Sequence, residues 1–318
     1  MPENKKKVSV VVATYNHEKY IAHALESIIS QKVDFDYEVL VGEDCSTDNT
    51  AEIVKKYADM YPGIIVPFIR EKNLGIGGNV PELMTHISGE YVAFIEGDDY
   101  WIDDHKLQKQ VDFMDIHPEY VACFGKCIVV DENDIRHPEY EQYSSFKTGV
   151  GDYRINEFEE YVMPGQTATS MYRVVVYEDL QKKVMEANID VSKMIDRTQI
   201  LCMLALGKMY VFGDTFSAYR YILNPDSGSW SSKNDVYQID SLVNYLNGMK
   251  DMEEIAKALD LSLDFDNRRT YEVKKLYSSK ETFSSDEFKL IRQELKKGYN
   301  NKYKYYITLA KILIRRML

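Results

Sequence analysis

Three carboxylates, Glu96, Asp98 and Asp99, fall within four consecutive positions of the segment Glu96-Gly97-Asp98-Asp99-Tyr100-Trp101. They follow the apolar run YVAFI and precede a helix-like stretch, so they are expected at the mouth of a buried strand. Crowded acids repel one another, and at a buried strand end they also lose hydration, which disfavours the charged forms unless a cation compensates. Hard divalent cations such as Mg²⁺ or Mn²⁺ are held by one or two carboxylates, with water and substrate phosphates completing the shell. A metal site facing a phosphorylated ligand is one reading of the cluster. An Asx turn or helix cap, the commoner use of an Asp pair at a strand end, is the other.

A rigid frame has to present these acids. VSVVVA (8–13) reads as a buried strand, and Tyr20, Ile21, Ala24, Leu25, Ile28 and Ile29 then recur at helical spacing. YEVLVG (37–42) is the second strand; Ser46 or Thr47 can cap the helix that runs through Tyr57, with Asp48 in its first turn. IIVPFIR (64–70) is a third strand, weakened by Pro67, and a Gly75, Gly77, Gly78 loop leads to a helix around 80–88. YVAFIE (91–96) is the fourth strand, followed by a helix through Leu107, Val111 and Met114 that ends near Pro118. Apolar strands alternating with helices imply a mostly parallel sheet covered on both faces, a doubly wound α/β domain. Such sheets bind ligands at the carboxyl ends of their strands, which places Thr14 to Asn16, Glu43 and Asp44, and Glu96 to Asp99 on one rim.

After Tyr120 the pattern is mixed. VACFGKCIVV and TATSMYR (167–173) read as strands, and helices are expected near 156–162, over 174–188 and from Asp196 to Leu206. MYVFG and SAYRYIL follow as strands, and the polar segment 224–235 closes the region. Beyond it the chain is helical and charged, so we divide it into residues 1–234 and a helical extension, 235–318.

With 39 basic and 51 acidic residues the formal net charge is -12, which disfavours a nucleic-acid polymer as partner. Hydrophobic residues at 45% fit a folded soluble protein. Cys45, Cys123, Cys127 and Cys202 show no metal-ligand spacing with histidines and read as free thiols of a reducing compartment. Neither a signal peptide nor a membrane span is expected, so a cytoplasmic protein, peripheral at most to the inner face of a membrane, is the expectation. The GIGGN run (75–79) lacks the GxGxxG spacing and does not follow the first strand, which excludes a nicotinamide-binding reading.

VSVVVATYN, VGEDCSTDNT, EGDDYW and IDRTQILCMLALGK, in that order, resemble the family-2 glycosyltransferases, nucleotide-sugar-dependent enzymes of the GT-A fold. The likeness covers roughly residues 7–222 and is nearest to bacterial members that build surface polysaccharides. It implies a mostly parallel central sheet and an inverting transfer of sugar from a nucleotide diphosphate, with a UDP-sugar favoured, to a glycan or lipid-linked acceptor. Thr14, Tyr15, Asn16, Glu43 and Asp44 would then hold the donor, Asp44 accepting from the base N–H. The common DDGS is EDCS here, so Cys45 stands where a turn glycine is usual. Glu96 and Asp98 would lie beside the donor, and Asp98 and Asp99 would carry Mn²⁺ or Mg²⁺. Asn79 would border the donor phosphates, although backbone flexibility explains the neighbouring glycines equally well.

Asp196 matches the general base, with Asp190 the next candidate and an N-cap the structural alternative. Arg197 would orient it or bind a phosphate. Arg220 would stabilise the departing diphosphate, and the segment with Gly228 and Trp230 would close as a lid or simply be a surface loop. Asp103 and Asp104 read as helix caps. A non-catalytic nucleotide-sugar-binding subunit is the alternative function; it would be expected to lose Asp98, Asp99 or Asp196, and all three are present. A nucleotidyltransferase would carry a basic Gly-rich loop where this chain has TYNHEKY. In 302–318 Lys304, Lys311 and Arg315 share one helical face and Tyr306, Leu309, Leu313 and Met317 another, which suits an anionic membrane, packing onto the domain, or a homodimer contact.

Overall fold

Val8, Val10 and Val12 on the first strand and Val39 and Val41 on the second are fully buried, and this apolar ladder nucleates the sheet. The computed structural model describes residues 5–141, 146–186, 196–222, 239–278 and 284–317. Its first strands are β1 (Val8–Thr14), β2 (Tyr37–Glu43), β3 (Ile65–Ile69) and β4 (Tyr91–Glu96), all within a residue or two of expectation. They pair in parallel in the order β3-β2-β1-β4. Between them run α1 (Ile21–Ile29), α2 (Thr50–Met60) and α3 (Ile76–Met84).

Two local readings are corrected here. The GIGGN run is not a loop: α3 starts at Ile76, so four of its residues, Ile76, Gly77, Gly78 and Asn79, are already helical. Neither Ser46 nor Thr47 caps α2: the helix starts at Thr50, with Asn49 at its N-cap position two or three residues beyond them, and Asp48 Oδ1 accepts the N–H of Thr50 at 3.0 Å.

The sheet continues with β5 (Tyr100–Trp101), β6 (Tyr120–Val130), β7 (Gly151–Tyr153), β8 (Met171–Arg173) and β9 (Lys208–Arg220). β8 is antiparallel to both β4 and β6, and β9 runs parallel to β6 with register shifts that bend it. MYVFG and SAYRYIL therefore belong to one long strand for most of their length. β5, too short for periodicity to reveal, pairs Tyr100 with Ala218 and Trp101 with Ser217. This pairing brings the end of β9 to the acidic segment.

On the flanks lie α4 (Lys106–Ile116), α5 (Pro138–Glu141), α6 (Ile155–Glu159), α7 (Val174–Glu186) and α8 (Asp196–Leu204). The helical extension comprises α9 (Ile239–Ala258), α10 (Asp266–Ser278), α11 (Ser285–Gly298) and α12 (Lys302–Met317). Two compact units emerge. One holds the sheet with α1 to α5 and most of α7; the other joins α6 and α8 to the C-terminal helices, so a single cut near residue 235 does not describe the division. The second unit has its own core of Leu246, Val273, Leu276, Ile291, Leu295, Tyr299 and Tyr305. It also buries Arg269, which is bidentate with Glu253 at 2.7 and 2.8 Å. No helix among the described residues is long and apolar enough to cross a membrane.

Lys106 is the unusual core residue of the first unit. Fully buried, it donates to Gln110 Oε1 at 2.7 Å and lies 4.2 Å above the Trp101 ring. Burial pulls its ammonium from 10.5 down to about 7. Between those values the unfolded chain binds a proton that the folded chain does not, so stability rises with pH across this window. The slope is about 1.4 kcal/mol per pH unit. Lys106→Met, which cannot titrate, is expected to be more stable relative to the parent at pH 7 than at pH 9, the gap narrowing by roughly 2–3 kcal/mol. Urea unfolding at both pH values measures it, and a gap that does not change with pH would refute the assignment.

Candidate active site

Parallel register sets Thr14 beside Glu43 and Ala13 beside Glu96, so β2, β1 and β4 end within a residue of one another and bring Glu43, Thr14 and Glu96 to one rim. The loops beyond are stitched together: Asp44 N–H donates to Thr14 O at 3.0 Å and Gly97 N–H to Ala13 O at 2.8 Å. Gly97 has to be glycine. A Cβ there would stand 2.5 Å from Thr14 Oγ1 and 3.0 Å from His17 Nδ1, closer than side chains approach. The small residue lets the acidic turn close against the end of β1.

In that turn the three acids have different surroundings. Asp99 is 2% exposed; its Oδ1 accepts the Arg220 backbone N–H at 2.8 Å and its Oδ2 accepts Gln166 Nε2 at 2.7 Å. Burial, then the charges of Asp98 and Glu96, push its carboxyl well above the usual range. Asp98 is half-buried, with Oδ2 3.8 Å from His17 Nε2. Glu96 also remains partly accessible, and Gln166 Nε2 approaches it at 3.5 Å. The expected Asp98 and Asp99 pair is therefore revised: Asp99 has both oxygens occupied by the protein and anchors the turn, whereas Asp98 and Glu96 retain solvent access.

Arg220 is corrected as well. Its Nε donates to Asp98 O at 2.8 Å, Nη1 to Asp131 O at 2.7 Å and Nη2 to Asp134 Oδ1 at 2.6 Å. The guanidinium lies 4.3 Å over the Tyr20 ring, and the side chain is 1% exposed. Such a group has little left to offer a diphosphate; it fastens the acidic turn to the 131–134 loop. None of these side-chain bonds reaches a carboxylate of Glu96, Asp98 or Asp99, and the guanidinium is itself paired with Asp134. Half-buried Tyr219 registers the charge of the acids, its phenol raised by desolvation and then by Asp99, Glu96 and Asp98. An oxygen-only donor set with this excess of charge suits a hard divalent cation.

At the other end of the rim, Asp44 is 4% exposed, and its Oδ1 accepts Leu74 N–H at 2.7 Å. Glu43 Oε1 accepts Ser46 N–H at 2.8 Å, while its buried Oε2 has no hydrogen-bond partner among the described residues. A buried acceptor without a donor costs about 1–3 kcal/mol, and a ligand N–H or O–H would recover it. Cys45 takes φ +61°, the left-handed conformation the usual glycine adopts freely, so the turn keeps its shape at some strain. Tyr15 is 42% exposed beside it. Asn16, also left-handed at φ +56°, accepts Thr47 N–H at 2.8 Å and so binds the first loop to the second.

Asn79 serves the fold. It is 2% exposed, donates Nδ2 to Gly42 O at 2.8 Å and accepts from Arg70 Nε at 3.3 Å, bolting α3 to β2. Asp103 and Asp104 do not cap α4. Asp103 closes an Asx turn on His105 N–H at 2.9 Å and binds Lys109 at 2.7 Å, while Asp104 pairs with Lys32. With His105 they could gather ligand atoms within 4.8 Å, but two lysines already neutralise them. A surface cavity lined by Lys5, Gly89, Glu90, Arg173 and Val174 lies at the amino ends of the strands, away from the rim.

Asp196, in the second compact unit, begins α8 and is exposed. Crowding by surrounding chain pushes its carboxyl upward and Arg197 draws it back. Arg197 stacks 3.6 Å from the Tyr161 ring centre and donates to Tyr161 O at 3.0 Å. Asp190 and the 224–235 segment with Gly228 and Trp230 lie outside the described residues. Sequence patterns missed Gln166 and His17. Gln166 follows a Pro-Gly pair, and its Oε1 accepts Ala168 N–H at 2.7 Å, which fixes the amide so that Nε2 faces the acids. Only the fold reveals that contact.

The family model for Glycosyl transferase family 2 matches residues 9–180, more than half of the chain. An uncharacterized protein of Mycobacterium tuberculosis is 39% identical over 137 residues, 43% of this chain and 40% of its own length. The Staphylococcus aureus poly(ribitol-phosphate) beta-N-acetylglucosaminyltransferase TarS is 39% identical over 114 residues, 35% of this chain and 19% of its own. The chain thus spans well under half the length of these relatives. Its fold matches the TarS 1–349 structure in complex with UDP-GlcNAc with a TM-score of 0.59 at 22% identity, covering 92% of this chain and 80% of that one. It also matches the mannosyltransferase PcManGT of Pyrobaculum calidifontis in complex with GDP-Man and Mn²⁺, with a TM-score of 0.53 at 15% identity, covering 98% and 86%.

Proposed function

The chain belongs to glycosyl transferase family 2 and has the GT-A fold, and we propose that it is an inverting transferase. It would move a sugar from a nucleotide diphosphate to a glycan or lipid-linked hydroxyl in surface polysaccharide synthesis. The observation that carries this reading is the shared rim at the carboxyl ends of β2, β1 and β4, where Glu43, Thr14 and Glu96 are the last residues of three adjoining strands. A nucleotide laid along that rim would meet the acceptors of Glu43 and Asp44 at one end and the carboxylates of Glu96 and Asp98 at the other.

Thr14, Tyr15, Glu43 and Asp44 hold the nucleoside, the orphaned Glu43 oxygen taking a ligand donor and Asp44 the base N–H. A carboxylate suits both tasks because, ionised, it only accepts. Asp98 and Glu96 would hold a divalent cation, Mn²⁺ or Mg²⁺, which supplies neutralisation of the leaving diphosphate. Asp99, Gln166 and Arg220 fix the turn that presents them. Asp196 takes the acceptor proton as the hydroxyl attacks the anomeric carbon from the face opposite the leaving group, inverting its configuration. The liganded neighbours make UDP the first nucleotide to try.

Calorimetry of UDP and GDP binding with Mn²⁺ tests this reading. One nucleotide should bind, and Asp44→Ala should weaken it roughly tenfold, because a hydrogen bond to a charged group contributes about 1.5–3 kcal/mol. An unchanged constant in the variant, or no binding of either nucleotide, would count against the assignment.

A further inference from the structure

From residue 295 onward the chain carries seven cationic residues, Lys296, Lys297, Lys302, Lys304, Lys311, Arg315 and Arg316, and no Asp or Glu, in a protein of net charge -12. Most of this charge lies on α12. Over its described side chains, those of 302–311, the helix packs through one side: Tyr305 and Thr308 are 2% and 7% exposed, and Tyr305 joins the core that holds Leu276, Ile291 and Leu295. Tyr303, Tyr306 and Ile307 are left outward, at 74%, 48% and 37% exposure. The end of α11 shares this surface, since Lys296 Nζ sits 5.2 Å over the Tyr306 ring and Lys302 donates to the carbonyls of Lys296 and Lys297.

We propose that the outward face of α12, with the end of α11, docks on the surface of an anionic lipid bilayer. Charge complementarity selects an anionic partner, and in a chain of net charge -12 this stretch gathers seven cations without an acid among them. The apolar component selects a bilayer over a soluble polyanion. Tyrosine rings and an isoleucine set among lysines gain by entering the headgroup region, where aromatic side chains are favoured and basic stems reach the phosphates. The buried Tyr305 side keeps the helix on its own core, so docking is a surface contact and requires no insertion of the helix. This inference is independent of the transferase reading.

The test is flotation of the full chain with phosphatidylcholine vesicles, with and without about one third phosphatidylglycerol. Each basic residue near an anionic surface strengthens binding by about fivefold. The parent should float with the anionic vesicles and not with the neutral ones. Lys304→Glu combined with Lys311→Glu should weaken this roughly 25-fold or more. Tyr303→Ser combined with Ile307→Ser should weaken it roughly tenfold at unchanged charge. Tyr303, Ile307 and Lys311 are exposed and Lys304 is half-buried, donating to Asn267 Oδ1 at 2.8 Å; melting temperatures close to the parent's confirm that the variants fold. Equal partitioning into both vesicle types, no flotation at all, or folded variants that bind like the parent would each overturn the proposal.

Discussion

Asp98→Asn is expected to lower turnover at least about a hundredfold, some 2.7 kcal/mol of transition-state stabilisation, while leaving the melting temperature nearly unchanged. The carboxylate is half-buried, and its one ion-pair contact is His17 at 3.8 Å, so the fold loses little. Asp99→Ala should behave differently. It leaves Gln166 Nε2 and the Arg220 N–H without their acceptor in a buried place, which costs about 1–3 kcal/mol per orphaned group. Its primary effect is then on stability, with activity falling as the turn loosens. Steady-state rates and thermal melts of both variants, with EDTA and with Mn²⁺ restored, separate the two roles. Full activity of Asp98→Asn in EDTA would remove the metal from the account.

The second large effect belongs to Asp196. Replacing it with Asn should reduce kcat by about 10²–10⁴-fold, the usual contribution of a positioned general base. Donor affinity should barely change, because the residue acts on the acceptor. Asn keeps the size, and at the start of α8 the loss of one exposed charge near the helix dipole costs only about 0.3–1 kcal/mol. A crowded carboxyl with a raised pKa is a better base than a free one, provided it is ionised, so the acidic limb of the pH profile should follow Asp196 and flatten in the variant. Turnover per folded molecule equal to the parent's would move the base elsewhere.

The frame was legible in the sequence because local patterns and burial agree. Val8 to Val12, Val39 to Val41 and Tyr91 to Ile95 are strands by periodicity and are buried in the sheet. The rim followed from the rule that parallel sheets bind at their carboxyl ends; Thr14 and Glu43 stand abreast there, with Glu96 one residue back beside Ala13. What escaped was the division of labour among similar residues. Asp98 and Asp99 are identical neighbours, and only the distant Gln166 and Arg220 distinguish the accessible one from the anchor. Arg220 and Asn79 carried side chains suited to phosphates, but Asp131, Asp134 and Gly42, far away in sequence, occupy them. The short β5 gave no periodic signal, yet its pairing with β9 is what brings Arg220 to the acids. Spacing reports which face a residue takes, and long-range contact decides whether its polar atoms are left for a ligand.

Anomalous diffraction from crystals grown with Mn²⁺ and a UDP-sugar tests the central claim most directly. The account predicts a manganese peak at the carboxylate of Asp98, with nucleotide density along the ends of β4, β1 and β2 and the base against Asp44. Manganese at Asp103, Asp104 and His105 instead, or nucleotide bound away from those strand ends, would contradict it.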